Sequence, residues 1–268
     1  MCKKYQVKEI FCTAWMDNGA ETPVDTVLPG VVLFAHLGFH DKFEEETFAE
    51  EFEITTGVSL ETFLKLDRFD RLFLGEEANI RSENPSKYLL YQDALLGIFD
   101  AHLEENMQAG EYYKKLFTEL KSCEKQTGRY ETLFVYYRYL EEVLADKAEL
   151  GIRIKKAYDK KELSTLVRIC EEDIPRIIEN MWKLKEYREK LWMKNAKPFG
   201  FELLDLRMGN VIIRLESSRR RLNQYIQGKT EKLEELEGKR LPYFREGEAK
   251  IENRWQRTIS GADLTDSI

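Results

Sequence analysis

The sequence is poor in the features that mark membrane-spanning, secreted and metal-binding proteins. None of its apolar runs reaches the roughly 20 residues that span a bilayer. Residues 1–11 carry charge with no apolar segment after them, so no signal peptide is expected. Its four cysteines, which include no CxxC pair, are Cys2, Cys12, Cys123 and Cys170. We therefore expect free thiols in a cytoplasmic, reducing setting, and neither structural zinc nor any cofactor.

Positive charge is also in deficit. The 268 residues include 42 Lys and Arg against 49 Asp and Glu, which gives a formal net charge of −7. This balance disfavours electrostatic binding of nucleic acid, so we expect neither nucleic acid nor a membrane as a partner. Charged residues nevertheless make up 34% of the chain. Such a high content is typical of long amphipathic helices with solvated faces.

Strand signals are scarce and confined to the N-terminal part. The short apolar run 8–14, followed by a turn signal at residues 17–19, predicts a buried strand. A helical pattern opens at Pro23. One β/α unit cannot bury both faces of its strand, because a parallel strand needs neighbours. This first segment is therefore interpreted as a piece of something larger.

From residue 41 onward the pattern is helical. Apolar residues at steps of three and four predict three long helices, over residues 129–158, 161–194 and 201–237. Pro175 is expected to kink the second near Asp173, and Gly238 to end the third. Short connections favour antiparallel neighbours. The predicted fold class is mainly α: a long antiparallel helical bundle preceded by a single β/α unit.

Two clusters of metal-ligand residue types were weighed and set aside. His36 and His40 are four residues apart, a spacing that suits a metal on a helix, but Gly38 lies between them and no HExxH glutamate does. The acidic run 44–51 lacks the alternating ligand spacing of a calcium loop. We expect no metal site, and we interpret the acidic run and the arginine-rich stretch 214–221 as solvated, ion-paired helix faces.

The aromatic stretch 134–139 would cover more than half of a helix circumference. Part of it is expected to lie in the core. The remainder is expected to pack on a neighbouring domain, because tyrosine suits half-wet interfaces.

The segment from Thr13 to Glu21 places a large aromatic, Trp15, and a carboxylate, Asp17, just after the predicted strand. In a β/α barrel that end of a strand is where active-site groups lie. An aromatic ring beside a carboxylate also suits a sugar, since the ring stacks on C–H faces and the carboxylate accepts from hydroxyls. A buried tryptophan beside a turn aspartate explains the same residues without any function.

Three separated motifs resemble family 20 β-N-acetylhexosaminidases of the bacterial type. Residues 15–21, with Leu28-Pro29 after them, resemble the last barrel strand of the subgroup that carries Trp-Gly-Asp-Asp-Gly-Ala-Glu. Residues 84–97 and 192–221 resemble that subgroup's C-terminal helical domain. The resemblance implies that residues 1–40 are the last strand–helix unit of a (β/α)8 barrel and residues 41–268 the helical domain.

The resemblance also implies a reaction and two substrate-binding residues. The family removes terminal N-acetylhexosamine from glycans with retention, by a substrate-assisted mechanism that departs from the usual two carboxylates. Trp15 would form a wall of the sugar subsite, and Asp17 would accept hydrogen bonds from distal hydroxyls. Met16 replaces the usual glycine, and Asp17 stands where many relatives have glutamate, which leaves the sugar preference open.

The family's catalytic Asp-Glu pair has no counterpart, because the sequence contains no Asp-Glu dipeptide. We therefore assign no catalytic residue and expect the chain to be inactive alone, although it derives from a glycoside hydrolase. Its glycan partner would be bound by the complete enzyme, with the helical domain supporting the barrel or forming a homodimer. The alternative is a stand-alone, non-catalytic helical interaction protein.

Overall fold

The computed structural model describes residues 5–15, 20–72, 85–103 and 108–241. The regular secondary structure of these residues is helical, which confirms the mainly α class. Each helix in those ranges is too short or too polar to cross a bilayer. The α-helices are α1 (Leu28–Phe39), α2 (Glu45–Thr56), α3 (Leu60–Leu64), α4 (Pro85–Tyr91), α5 (Ala109–Cys123), α6 (Glu131–Lys147), α7 (Leu150–Asp159), α8 (Leu163–Arg168), α9 (Ile174–Asn195), α10 (Phe201–Ile226) and α11 (Glu234–Glu237).

The strand predicted over residues 8–14 is not formed. Residues 7–15 adopt neither helix nor strand, and Ile10 and Phe11 are 52% and 83% exposed. A parallel-type strand is stable only beside other strands, and the described part of the chain offers none. The helical half of the predicted β/α unit is present as α1.

Helix α6 lies at the centre of the bundle and packs against α5 on one side and α9 on the other. Its Leu133, Val143 and Leu144 are fully buried, as the spacing of three and four predicts. Helices α9 and α10, which residues 196–200 join, also pack against each other. The apolar stripes therefore converge on one core.

Pro175 interrupts the second predicted long helix where we expected. A π-helical turn, Ile169–Asp173, separates α8 from α9, and Pro175 occupies the first turn of α9. Proline lacks the N–H that would bond to the carbonyl four residues back. The helix accommodates that loss in the wider π turn.

The third predicted helix ends at Ile226 and not, as we predicted, at residue 237. Helix α10 stops at Ile226, and Gly228 follows with φ +69°, a left-handed conformation that glycine adopts without steric cost. Gly238, the predicted stop, has φ −74°. Leu233 and Leu236 lie beyond the end of α10, but both are fully buried. Their apolar side chains therefore extend the helical spacing in the sequence past the point where the helix ends.

The approach of α5 to α6 leaves no room for a side chain at Gly110. A Cβ there would lie 2.7 Å from the backbone oxygen of Ala145. We expect Gly110→Ala to lower the free energy of unfolding by about 1–3 kcal/mol. Gly209→Ala is the matched control, because nothing lies within 4 Å of its Cβ position and alanine favours a helix by about 0.5–1 kcal/mol. Urea unfolding of both variants measures the difference; equal effects would contradict the close approach.

Candidate functional site

Of the two predicted sugar-binding residues, the structure describes one. Trp15 is 78% exposed, and its indole Nε1 donates a hydrogen bond to Thr13 Oγ1 at 3.1 Å. Asp17 lies in the stretch 16–19, outside the described residues. The roles of Trp15 and Asp17 therefore stay predictions.

The same motif ends at Glu21, whose side chain is held inside the helical bundle. Arg207 Nη1 donates to Glu21 Oε1 at 2.9 Å, and the ammonium of Lys87 lies 3.8 Å from the same oxygen. Tyr91 supplies a further side-chain hydrogen bond. The Glu21 side chain is only 12% exposed, so this carboxylate is fixed by two cations and a phenol away from bulk water.

The partners of Glu21 come from the two other motifs that carry the resemblance. Lys87 and Tyr91 lie four residues apart on one face of α4, and Arg207 lies on α10. A second ion pair joins the same two motifs, because Arg214 Nε donates to Asp93 Oδ2 at 2.6 Å. Three stretches that are far apart in sequence therefore meet at one buried cluster.

The backbone at this point is held as firmly as the side chain. Arg188 of α9 donates from Nε to the carbonyl oxygen of Glu21 at 3.2 Å and from Nη2 to that of Ala20. The hydroxyl of Tyr136 donates to the Glu21 carbonyl at 3.5 Å. Arg188 is 3% exposed. The segment 20–21 is therefore clamped to α6 and α9 by donors that water does not displace.

Burial and charge act in opposite directions on this cluster. Burial raises the pKa of Glu21, while Lys87 and Arg207 lower it. Burial lowers the pKa of Lys87, which Glu21 partly offsets. Burial, and then the negative charge of Glu21, raises the pKa of Tyr91 well above its ordinary value. Tyr91 therefore keeps its proton and can donate it in a hydrogen bond to Glu21.

A cavity of about 520 Å³ adjoins the cluster and is lined by Glu21, Lys87, Tyr91, Tyr136 and Arg188. Asp70 also lines it and accepts a hydrogen bond from the Ser86 backbone N–H at 3.0 Å. Burial raises the pKa of Asp70 to about 6. The described lining offers charged and phenolic groups suited to binding and positioning.

The tyrosine-rich stretch contacts both the core and the N-terminal segment. Phe134, Tyr136 and Tyr137 are buried in α6, and the rings of Tyr139 and Tyr187 lie 5.4 Å apart. Tyr136 also reaches the Glu21 carbonyl. Tyr136 thus reaches the segment 1–40, whereas Tyr139 packs on α9, and packing of this stretch on a neighbouring domain stays a prediction.

A second cluster forms where α1 meets α2. His36 Nδ1 and His40 Nε2 each lie 2.7 Å from a different oxygen of Glu51. The potential ligand atoms of the three residues lie within 4.8 Å of one another. Hydrogen bonds from His36 and then His40 hold the pKa of Glu51 below its ordinary value. Sequence spacing indicated the histidines but missed Glu51, because that residue comes from another helix.

One family model matches most of the chain. The family is described as "Glycoside Hydrolase 20C C-terminal domain", and the match covers residues 61–255. No curated protein matches the chain. The matched range contains Lys87, Tyr91, Arg188 and Arg207, whereas Glu21, which they hold, precedes it.

Proposed function

The chain belongs to the Glycoside Hydrolase 20C C-terminal domain family, and on that premise we propose that it is the C-terminal part of a β-N-acetylhexosaminidase. Residues 1–40 complete the (β/α)8 barrel, and residues 41–268 form a helical domain that supports it. The helical domain fixes the segment that carries Trp15 and Asp17. The complete enzyme removes terminal N-acetylhexosamine from glycans.

The clamp on residues 20–21 is the observation that carries this proposal. Asp17 is only three residues before Ala20, so the backbone that Arg188 holds is directly continuous with the proposed sugar-binding segment. Side chains that bind substrate need a supporting shell to hold them within a fraction of an ångström. Glu21, Lys87 and Arg207 supply such a shell, although none of them need touch the sugar.

The chemistry of the reaction indicates which steps this chain and the rest of the barrel would each perform. In the substrate-assisted reaction the 2-acetamido carbonyl attacks the anomeric carbon, an Asp-Glu pair orients the acetamido group and protonates the leaving oxygen, and this chain has no such dipeptide. Trp15 and Asp17 would bind and orient the sugar, as aromatic rings and carboxylates do. The chain thus contributes to binding the sugar and leaves proton transfer to the rest of the barrel.

The outer face of α1 supports the assignment of residues 1–40 to the barrel. Val27, which directly precedes α1, and Val31 and Phe34 within it are 37%, 43% and 38% exposed and follow one another at helical spacing. An apolar stripe of this kind is what a barrel helix turns towards its sheet. Cytoplasmic residence is part of the proposal, and the unpaired thiols of Cys123 and Cys170 support it.

A second candidate is a helical interaction protein without catalysis. Leu203, Leu206 and Ile213 on α10 are 59%, 70% and 65% exposed and occur at steps of three and seven. Exposed apolar stripes of this kind mark protein-protein contacts. A homodimer that buries this face would serve either candidate.

Hydrolysis of a chromogenic N-acetyl-β-glucosaminide separates the two candidates. We expect no turnover by the chain alone. We expect turnover when the chain is joined in frame to the preceding part of a family 20C barrel that carries the Asp-Glu pair. The same fusion with the pair changed to Asn-Gln is the control. Family-level activity of the chain alone, or an inactive but folded fusion, would contradict the proposal.

A further inference from the structure

From the cluster at the α1–α2 junction we infer a zinc-binding site formed by His36, His40 and Glu51, with a fourth position left for water or another ligand. This inference does not depend on the function proposed above. Nitrogen and carboxylate ligands are a set that Zn²⁺ prefers, and three protein ligands with one open position are a common arrangement.

The ligands are already convergent. His36 lies in the last turn of α1 and His40 directly follows the helix, and Glu51 presents one oxygen to each imidazole. Ligand atoms of a tetrahedral zinc ion lie about 3.3 Å apart, because each bond is about 2.0 Å long. The three atoms here are within 4.8 Å of one another, so binding requires movements of at most about 1.5 Å.

An independent observation is the state of His36. It is 2% exposed, and its Nε2 has no hydrogen-bond partner among the described residues. The rings of Phe43 and Phe48 lie 5.8 Å and 5.7 Å from the imidazole. The unpaired nitrogen is not the one that faces Glu51, so what the aromatic shell contributes is a fixed ring that presents Nδ1 to the site. His40 and Glu51 are 41% and 37% exposed, so the fourth position of a bound cation is open to water.

The consequence for the protein is a link between two parts of the fold. His36 belongs to α1 and His40 directly follows it, both within the segment assigned to the barrel, and Glu51 belongs to α2 of the helical domain. An ion that binds only the folded chain stabilises it in proportion to the logarithm of its free concentration. Zinc would therefore tie α1 to α2.

Titration of the purified, chelator-treated chain with Zn²⁺, and with Co²⁺ as a spectroscopic substitute, tests the site. We expect one equivalent to bind, a visible Co²⁺ band typical of four-coordinate geometry, and a melting temperature that rises with zinc and falls back on chelation. His40→Gln and Glu51→Gln are expected to weaken binding at least about tenfold.

The neighbouring Glu50→Gln is the matched control, because Glu50 is exposed on the same helix and is expected to leave affinity unchanged. Circular dichroism establishes that each variant is folded. His40 is the safer of the two ligand substitutions, since its side chain is 41% exposed. Absence of stoichiometric binding, or equal binding by His40→Gln and the wild type, would overturn the inference.

Discussion

Replacing Glu21 by alanine is expected to destabilise the folded chain by about 3–5 kcal/mol, because it removes the buried carboxylate that pairs with Lys87 and Arg207. Lys87 is almost fully buried, with 4% of its side chain exposed, and Arg207 is 20% exposed. Neither cation can regain the hydration that it has in the unfolded chain. Urea unfolding at neutral pH measures the loss as a lower midpoint.

The matched control for this prediction is Glu179→Ala. Glu179 also pairs with a lysine, Lys183 at 2.7 Å, but its side chain is 68% exposed. An exposed pair of this kind contributes little to stability, because water and salt screen the two charges. Similar losses of unfolding free energy in the two variants would mean that the buried cluster around Glu21 stabilises the fold no more than an exposed ion pair does.

Replacing Glu141 by methionine is expected to stabilise the protein by about 3 kcal/mol at pH 7. Glu141 is fully buried in α6, and neither carboxylate oxygen has a hydrogen-bond partner among the described residues. Burial, with Glu119 and Glu142 nearby, raises its pKa from 4.5 to about 10. At pH 7, about 2.5 units above the ordinary pKa, folding must return a proton to this carboxyl. Each unit costs about 1.4 kcal/mol of folding free energy.

The stabilisation expected from Glu141→Met depends on pH, because Glu141 binds its proton more tightly in the folded state than in the unfolded state. The folded protein keeps the Glu141 proton up to about pH 10, whereas the unfolded chain releases it near pH 4.5. The contribution of Glu141 to stability is therefore greatest below pH 4.5 and is lost as the pH rises towards 10. The gain from Glu141→Met should be small at pH 5 and grow towards pH 9 in urea unfolding series.

Glu131→Gln controls for the loss of a negative charge from the same helix. Glu131 is exposed in the first turn of α6, so its loss is expected to change stability by no more than about 0.5 kcal/mol, with little dependence on pH. A pH-independent gain at position 141, or a loss there, would show that the carboxyl is hydrated or paired.

The long helices could be predicted from sequence where apolar residues recur at steps of three and four, because the same spacing forms the helix and buries its apolar face. Pro175 acts through its own missing N–H, so its effect was also predictable. The end of α10 was not, because Leu233 and Leu236 are buried after the chain has turned at Gly228. Burial preserved the apolar pattern while the helix ended. The prediction of a strand over residues 8–14 was wrong because the stability of such a strand depends on neighbouring strands, which the described residues do not contain.

The site was predictable in part. The motif that ends at Glu21 could be recognised, but its partners could not, because Arg207 lies 186 residues further along the chain and spacing carries no information over that distance. Lys87 and Tyr91 were inside a recognised motif without an assigned role. Glu51 was missed in the same way, since a third ligand from a second helix leaves no mark in the spacing of two histidines.

We propose that the helical domain fixes the segment that carries Trp15 and Asp17 through Arg188. The most direct test is kcat/KM of the barrel fusion carrying Arg188→Lys, since one ammonium cannot replace a guanidinium that donates to two carbonyls. Arg176→Lys is the control, because the Arg176 side chain is 47% exposed and pairs with Asp146 and Asp173 rather than with residues 20–21. We predict at least about a tenfold loss for Arg188→Lys at unchanged fold and none for Arg176→Lys. Equal activity of the two variants would contradict the claim.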